Sequence, residues 1–113
     1  MPAGLVCPDC GRTYVADPGE PWRCACGSPL ELDADPDPGE PPAEFDRDRG
    51  LWAFESLLPV DREVTLGEGF TPLVDAPDWN ASFKLEYVFP SGSFKDRGAT
   101  TTLSRAASLG VDR

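Results

Sequence analysis

Four thiols and one amine are the reactive groups that this sequence sets at a recognisable spacing. The thiols come in two pairs, Cys7 and Cys10 in "CPDCG" and Cys24 and Cys26 in "CACG", with residues 11–23 between them. A tight turn in each pair aims two thiolates at one point, and the glycine that follows lets the backbone curl round an ion. Four thiolates at a tetrahedral site suit Zn2+ and leave no open position, so the zinc expected here is structural and not catalytic. Two disulfides, or thiols without a metal, are the alternatives for the same spacing. The amine is that of Lys95, in "FPSGSFKDRGATT" (Phe89–Thr101); Lys84 is the only other lysine of the chain.

The elements that must position these groups are legible as patterns. Between the cysteine pairs, Thr13, Tyr14 and Val15 form a short β-like run and Asp17-Pro18-Gly19 a turn. So small a segment has little core of its own, and an ion would supply much of its folding free energy. Upstream of Lys95, "TPLVDAP" reads as a short strand. "ASFKLEYV" alternates Phe83, Leu85 and Tyr87 against Ser82, Lys84 and Glu86, as in a half-buried strand. Pro90, Ser91 and Gly92 break the chain. Ser93 is then placed as an N-cap, with Asp96 three residues on as in a capping box. Ala99, Leu103, Ala106 and Leu109 fall on one helical face, and Gly110 is placed to end the helix. Lys95 is thus expected in the first turn, where the positive end of the helix dipole disfavours the ammonium form. The neutral amine is the form that attacks an aldehyde to give a Schiff base. The other reading of the same position is a solvated lysine paired with Asp96 or Glu86.

Composition divides the chain into a cysteine module (1–32), an acidic proline-rich linker (33–50) and a globular part (51–113) that opens with Trp52, Phe54, Leu57 and Leu58. The net charge of −10 repels phosphate backbones and anionic lipid, so neither nucleic acid nor a membrane is an expected partner. For a ribbon used on nucleic acid, Arg12 and Arg23 are too few against the surrounding carboxylates. The first residues carry neither a basic nor an apolar signal region. The cytoplasm, where thiols stay reduced, is the expected location.

"GEGFTPLV" followed by "FKLEYVFPSGSFKDRGA" resembles the N-terminal part of threonine synthases, pyridoxal-phosphate (PLP) enzymes of the tryptophan-synthase-β type. Gly67, Glu68, Gly69, Thr71, Pro72 and Leu73 match the first motif of that family. The run Pro90 to Gly98 matches the segment that carries the cofactor lysine. "GLWAFESLLPV" (Gly50–Val60) and the "CxxCG…CxCG" ribbon are also similar to stretches of family members, so the resemblance covers nearly all of the chain outside the linker.

The resemblance implies an α/β chain: an incomplete N-terminal part of a PLP-dependent fold type II domain, preceded by a small zinc ribbon. It implies that Lys95 bonds PLP and shuttles protons, that Phe94 packs near the cofactor ring, and that Asp96 and Arg97 hold the helix start. The implied substrate is a small amino acid, O-phospho-L-homoserine, converted with water to L-threonine and phosphate. Cysteate synthase, threonine dehydratase and cysteine synthase share the fold and stand as alternatives. So does a non-catalytic zinc-ribbon interaction protein. In the family, the glycine-rich loop that cradles the PLP phosphate lies downstream of the lysine helix. A complete domain of this kind needs several times the chain present from Leu51 onward. The expectation is therefore a fragment, from a truncated gene, a partial sequence or one half of a split enzyme. Such a piece should be inactive alone, and a C-terminal complementing chain would be its partner.

Overall fold

The computed structural model describes residues 2–37, 39–40 and 42–112; Pro38 and Pro41 of the acidic stretch, and the terminal Met1 and Arg113, lie outside the described residues. Three two-residue strands, β1 (Leu5–Val6), β2 (Thr13–Tyr14) and β3 (Glu31–Leu32), form an antiparallel sheet in the order β2-β1-β3. Leu5 is opposite both Tyr14 and Leu32, so β1 is the central strand and its one buried residue, Leu5, sits between two neighbours. The Asp17 turn forms as the sequence predicts: the Glu20 N–H donates to the Asp17 carbonyl at 3.0 Å and the Gly19 N–H to its carboxylate at 2.8 Å.

The rest of the chain is a mixed arrangement of short helix and sheet. A 3-10 segment, Arg47–Leu57, is kinked at Gly50 and Phe54. The antiparallel hairpin of β4 (Leu73–Ala76) and β5 (Ala81–Lys84) follows, closed by a 3-10 turn over Pro77–Trp79 with Asn80 left-handed. Helix α1 (Asp96–Ser108) comes last. Phe45 packs tilted against Phe54 with ring centroids 4.6 Å apart, and Phe54 stacks on Phe70 at 5.6 Å. At Gly50 (φ 58°) and Gly69 (φ 129°) two backbones cross, and the Leu51 N–H donates to the Glu68 carbonyl at 2.6 Å. A side chain on either glycine would run into the opposite backbone, which accounts for glycine at both places.

Trp52 anchors this part. It is fully buried, and its indole N–H donates to the Thr100 hydroxyl of α1 at 3.0 Å. Thr100 in turn donates to the Val64 carbonyl at 2.7 Å, and the fully buried Ser104 hydroxyl accepts from the N–H groups of Glu63 (3.1 Å) and Val64 (3.0 Å). The face that α1 buries is therefore Asp96, Thr100 and Ser104, at a spacing of four. The apolar stripe read from the sequence lies elsewhere. Ala99 and Leu103 are exposed, and Ala106 and Leu109 are half-buried.

The radius of gyration is 17.3 Å, against roughly 13 Å for a compact domain of this length. The chain is drawn out to 54 × 30 × 28 Å and, among the described residues, the buried apolar side chains are Leu5, Cys7, Cys24, Trp52 and Phe89.

Two sequence expectations are adjusted. The strand expected across "ASFKLEYV" stops at Lys84. All four residues of β5 are exposed, and Glu86–Val88 turn into a 3-10 coil because Glu86 is drawn towards Arg97 and Thr71. The capping box is displaced: the Ser93 hydroxyl accepts from the Lys95 N–H at 3.3 Å, and Asp96 reaches back not to Ser93 but to the N–H (3.0 Å) and hydroxyl of Ser91. The C-terminal end forms as read. Gly110 (φ 75°) donates to the Ala107 carbonyl and Val111 to the Ala106 carbonyl, both at 3.0 Å, the Schellman pattern. Among the described residues, no helix is long and apolar enough to cross a membrane.

Candidate functional site

The four cysteines converge. Their Sγ atoms lie within 4.8 Å of one another, with Cys7 3.6 Å from Cys26 and Cys10 3.6 Å from Cys24. None is in a disulfide. Each pair sits on a tight turn: the Gly11 N–H donates to the Cys7 carbonyl at 2.9 Å, and the Gly27 N–H to the Cys24 carbonyl at 2.8 Å. Gly11 (φ 75°) and Gly27 (φ 101°) take the left-handed conformation that closes these turns. The Ser28 hydroxyl donates to Asp9, joining the two turns.

Electrostatics inside the cluster are uneven. The Cys24 thiol is lowered to about 6, first by the backbone N–H of Cys26 and then by the Tyr14 hydroxyl, which donates to its sulfur at 3.4 Å. The backbone N–H of Ser28 lowers Cys26. Cys10 goes the other way, to about 11: the Arg12 N–H lowers it, but the neighbouring sulfurs of Cys24 and Cys7 outweigh that. Four sulfurs this close cannot all ionise against one another unless a cation neutralises them. Their chemistry and separation fit one tetrahedral metal ion. Tyr14 was not singled out from the sequence as a partner of the site. Its position in β2, across from β1, is what puts its hydroxyl over Cys24.

Lys95 lies at the start of α1 and is exposed, as is Phe94 beside it. The two carboxylates that could hold the ammonium are committed elsewhere. Asp96 is bound to Ser91, and Glu86 receives both Nε (2.8 Å) and Nη2 (2.9 Å) of Arg97 together with the Thr71 hydroxyl (2.6 Å). Among the described residues, no hydrogen bond or ion pair engages the Lys95 amine. Lys84 differs, since its Nζ donates to the Thr71 carbonyl at 3.2 Å.

The Arg97 guanidinium also stacks over the Phe89 ring, 4.9 Å from its centroid. This network joins three stretches that the sequence shows only separately: the Thr71-Pro72 segment, the turn at Glu86 and the first turn of α1. Glu68, buried in the Gly-Glu-Gly segment, accepts from the Thr65 hydroxyl at 2.9 Å and the Leu66 N–H at 2.8 Å. Burial works against its ionisation, but the Leu66 N–H and the hydroxyls around it hold its carboxyl below the usual range.

Glu86 yields a pH prediction. Hydrogen bonds from Arg97 and then Thr71, with the charges of Arg97 and Lys84, hold its carboxyl down at about 2 against the ordinary 4.5. A lowered carboxylate stabilises the fold fully above its ordinary value and loses that contribution as pH falls towards the folded value. Acid unfolding followed by circular dichroism should therefore include a component between pH 4.5 and about 2 that Glu86→Gln removes. The variant should also be less stable at neutral pH. Superimposable acid curves for the two proteins would show that the network does not contribute.

No family model matches the chain, and no solved structure matches it. Curated threonine synthases do. That of Methanocaldococcus jannaschii is 33% identical over 120 aligned residues, 94% of this chain and 29% of that protein. That of Methanosarcina acetivorans is 37% identical over 70 residues, 55% of this chain and 17% of that protein. That of Synechocystis is 40% identical over 75 residues, 56% of this chain and 20% of that protein. The chain is thus similar in sequence to threonine synthases along nearly its whole length, while spanning less than a third of the length of the curated relatives it matches.

Proposed function

We propose that residues 51–113 belong to a threonine-synthase-like PLP-dependent lyase of fold type II, and that residues 1–32 are its structural zinc ribbon. The substrate in this reading is O-phospho-L-homoserine, taken with water to L-threonine and phosphate. The observation that carries it is the free amine of Lys95, at a helix start where Asp96 and Glu86 are both occupied by other donors. When bound, PLP supplies an electron sink for carbanions at the substrate's α-carbon. Lys95 is the residue whose amine would hold the cofactor, and the same amine would serve as the base that moves a proton at the substrate's α-carbon. Phe94, exposed and adjacent to Lys95 in the chain, would pack near the cofactor ring. Asp96 and Arg97 hold the Ser91 loop and the Glu86 turn, which fixes where the amine stands. The thiol cluster has no vacant position for substrate, so its ion folds the ribbon and takes no part in the reaction.

The ribbon with the Gly-Glu-Gly segment favours threonine synthase over threonine dehydratase and cysteine synthase. Cysteate synthase is a substrate variant of the same reading. The reading carries a small amino-acid substrate and a cytoplasmic location, and the net charge of −10 disfavours nucleic acid and anionic membranes as partners.

Two lysines make the test clean. The protein is incubated with PLP, reduced with borohydride and mapped by peptide mass. With the α-amino group mapped separately, Lys95 is expected to carry nearly all the side-chain label and Lys84 little, and Lys95→Ala should remove the dominant side-chain adduct without raising that of Lys84. Reduction captures even short-lived adducts, so the test does not need tight binding. Equal labelling of both lysines, or side-chain labelling undiminished in Lys95→Ala, would overturn the reading. A second reading, a non-catalytic ribbon module docking on a protein partner, draws on the exposure of Leu73, Trp79, Phe94 and Leu103. It gains ground under that negative result.

A further inference from the structure

The ribbon and α1 are tied together by one side chain. Arg105, in the last turns of α1, donates through Nε (3.0 Å) and Nη2 (2.7 Å) to the two carboxylate oxygens of Glu20, and through Nη1 (2.9 Å) to the Ala3 carbonyl. Glu20 follows the turn between the two cysteine pairs, and Ala3 leads into β1, so the guanidinium grips the ribbon at two points. The pair is largely screened from water, with side-chain exposures of 12% for Arg105 and 19% for Glu20. Among the described residues, every hydrogen bond between residues 2–33 and residues 47–112 passes through this guanidinium. Open clefts lined by Ala3 and Leu32 on the ribbon side, and by Leu58 and Val60 on the other, flank it.

We propose that Arg105 is a positioning residue that couples the metal-held ribbon to the lysine helix. With the thiol cluster loaded, Glu20 and the Ala3 carbonyl are presented at fixed positions and Arg105 anchors the C-terminal half of α1. Without the ion the short sheet loses its support, the two acceptors disperse, and among the described residues the side-chain hydrogen bonds left between that half of the helix and the rest of the chain are those of Thr100 and Ser104. Lys95 is ten residues before Arg105 on the same rigid rod, about 15 Å along the axis, so order at one end bears on the placement of the other. Arginine serves the full set of contacts because a lysine cannot bind a carboxylate through two nitrogens and a carbonyl through a third. This inference rests on the metal reading of the thiol cluster given above.

The experiment is amide hydrogen exchange on the full chain, with Zn2+ and after a chelator, in the parent protein, Glu20→Ala, Arg105→Ala, the double variant and Arg105→Lys. In the parent protein, chelation should speed exchange of the amides of Thr101 to Ala107 about tenfold, the scale of a contacting charged pair. In the two alanine variants and the double variant these amides should already exchange fast with zinc bound, and chelation should change them less than about twofold. The Gly11 and Gly27 amides at the cysteine turns should remain protected by zinc throughout. Arg105→Lys should restore part of the metal response. Helix amides indifferent to zinc in the parent protein would overturn the inference, as would an undiminished zinc response in Glu20→Ala and Arg105→Ala. If Gly11 and Gly27 gain no protection from zinc, the metal reading fails as well and takes the inference with it.

Discussion

Chelation is expected to unfold the ribbon as a unit. Among its described residues the module has three two-residue strands and buries the apolar side chains of Leu5, Cys7 and Cys24, so its apolar burial cannot offset the backbone entropy of its residues. Structural zinc in peptides of this size contributes an apparent free energy of roughly 10–16 kcal/mol at neutral pH, far more than such a core supplies. One ion per chain should bind, and cobalt should give the absorption spectrum of a tetrahedral thiolate site. Removing the ion should abolish dispersion in the ribbon's amide resonances and leave the Trp52–Thr100 region folded. Cys24→Ser should weaken binding by more than the roughly 10–100-fold that loss of an outer partner costs. Tyr14→Phe, which deletes such a partner of Cys24, should fall within that range. A protein whose ribbon resonances stay dispersed without metal would contradict the account.

Trp52→Ala is expected to be the most damaging single change outside the ribbon. Truncating a fully buried tryptophan costs about 3–5 kcal/mol. The substitution also removes the donor to Thr100, the residue that connects α1 to the loop at Val64. Total stabilities of domains are about 5–15 kcal/mol, so the variant should lose cooperative unfolding in urea or be unfolded at room temperature. Ser104→Ala leaves the Glu63 and Val64 N–H groups without their acceptor and should cost about 1–3 kcal/mol. Trp79→Ala is the control. That side chain is 75% exposed, and its loss should change stability by about 0.5 kcal/mol or less. Urea titrations monitored by circular dichroism give all three, and a Trp79 effect equal to that of Trp52 would show that the core has been placed wrongly.

Much of the candidate site could be read from the chain alone because its signals are local. Each cysteine pair needs only a tight turn and a following glycine to aim its thiols, and both turns form around Gly11 and Gly27, while the β2-β1-β3 sheet brings the two pairs together. Lys95 is at a helix start because Ser91–Gly92 interrupts the chain, and Gly110 ends that helix because it alone accepts the left-handed conformation at no steric cost. The details of the cap were misjudged by two residues. Asp96 has several donors within reach, and Ser91 offers two of them at once.

What spacing could not reveal was set by groups far apart in the chain. Helical periodicity marks Ala99 and Leu103 as the apolar stripe, yet α1 is seated on Thr100 and Ser104. The reason is that a loop forty residues upstream presents bare backbone groups at Val64, and a buried N–H or carbonyl needs a hydroxyl more than a methyl. Arg105 and Glu20 are 85 positions apart, and nothing in either neighbourhood announces the pairing. Local residue types decide turns, caps and ligand geometry, since those interactions close within a few residues. Which polar groups must find one another depends on where the folded backbone leaves donors and acceptors unpaired, and that exists only once distant segments have met.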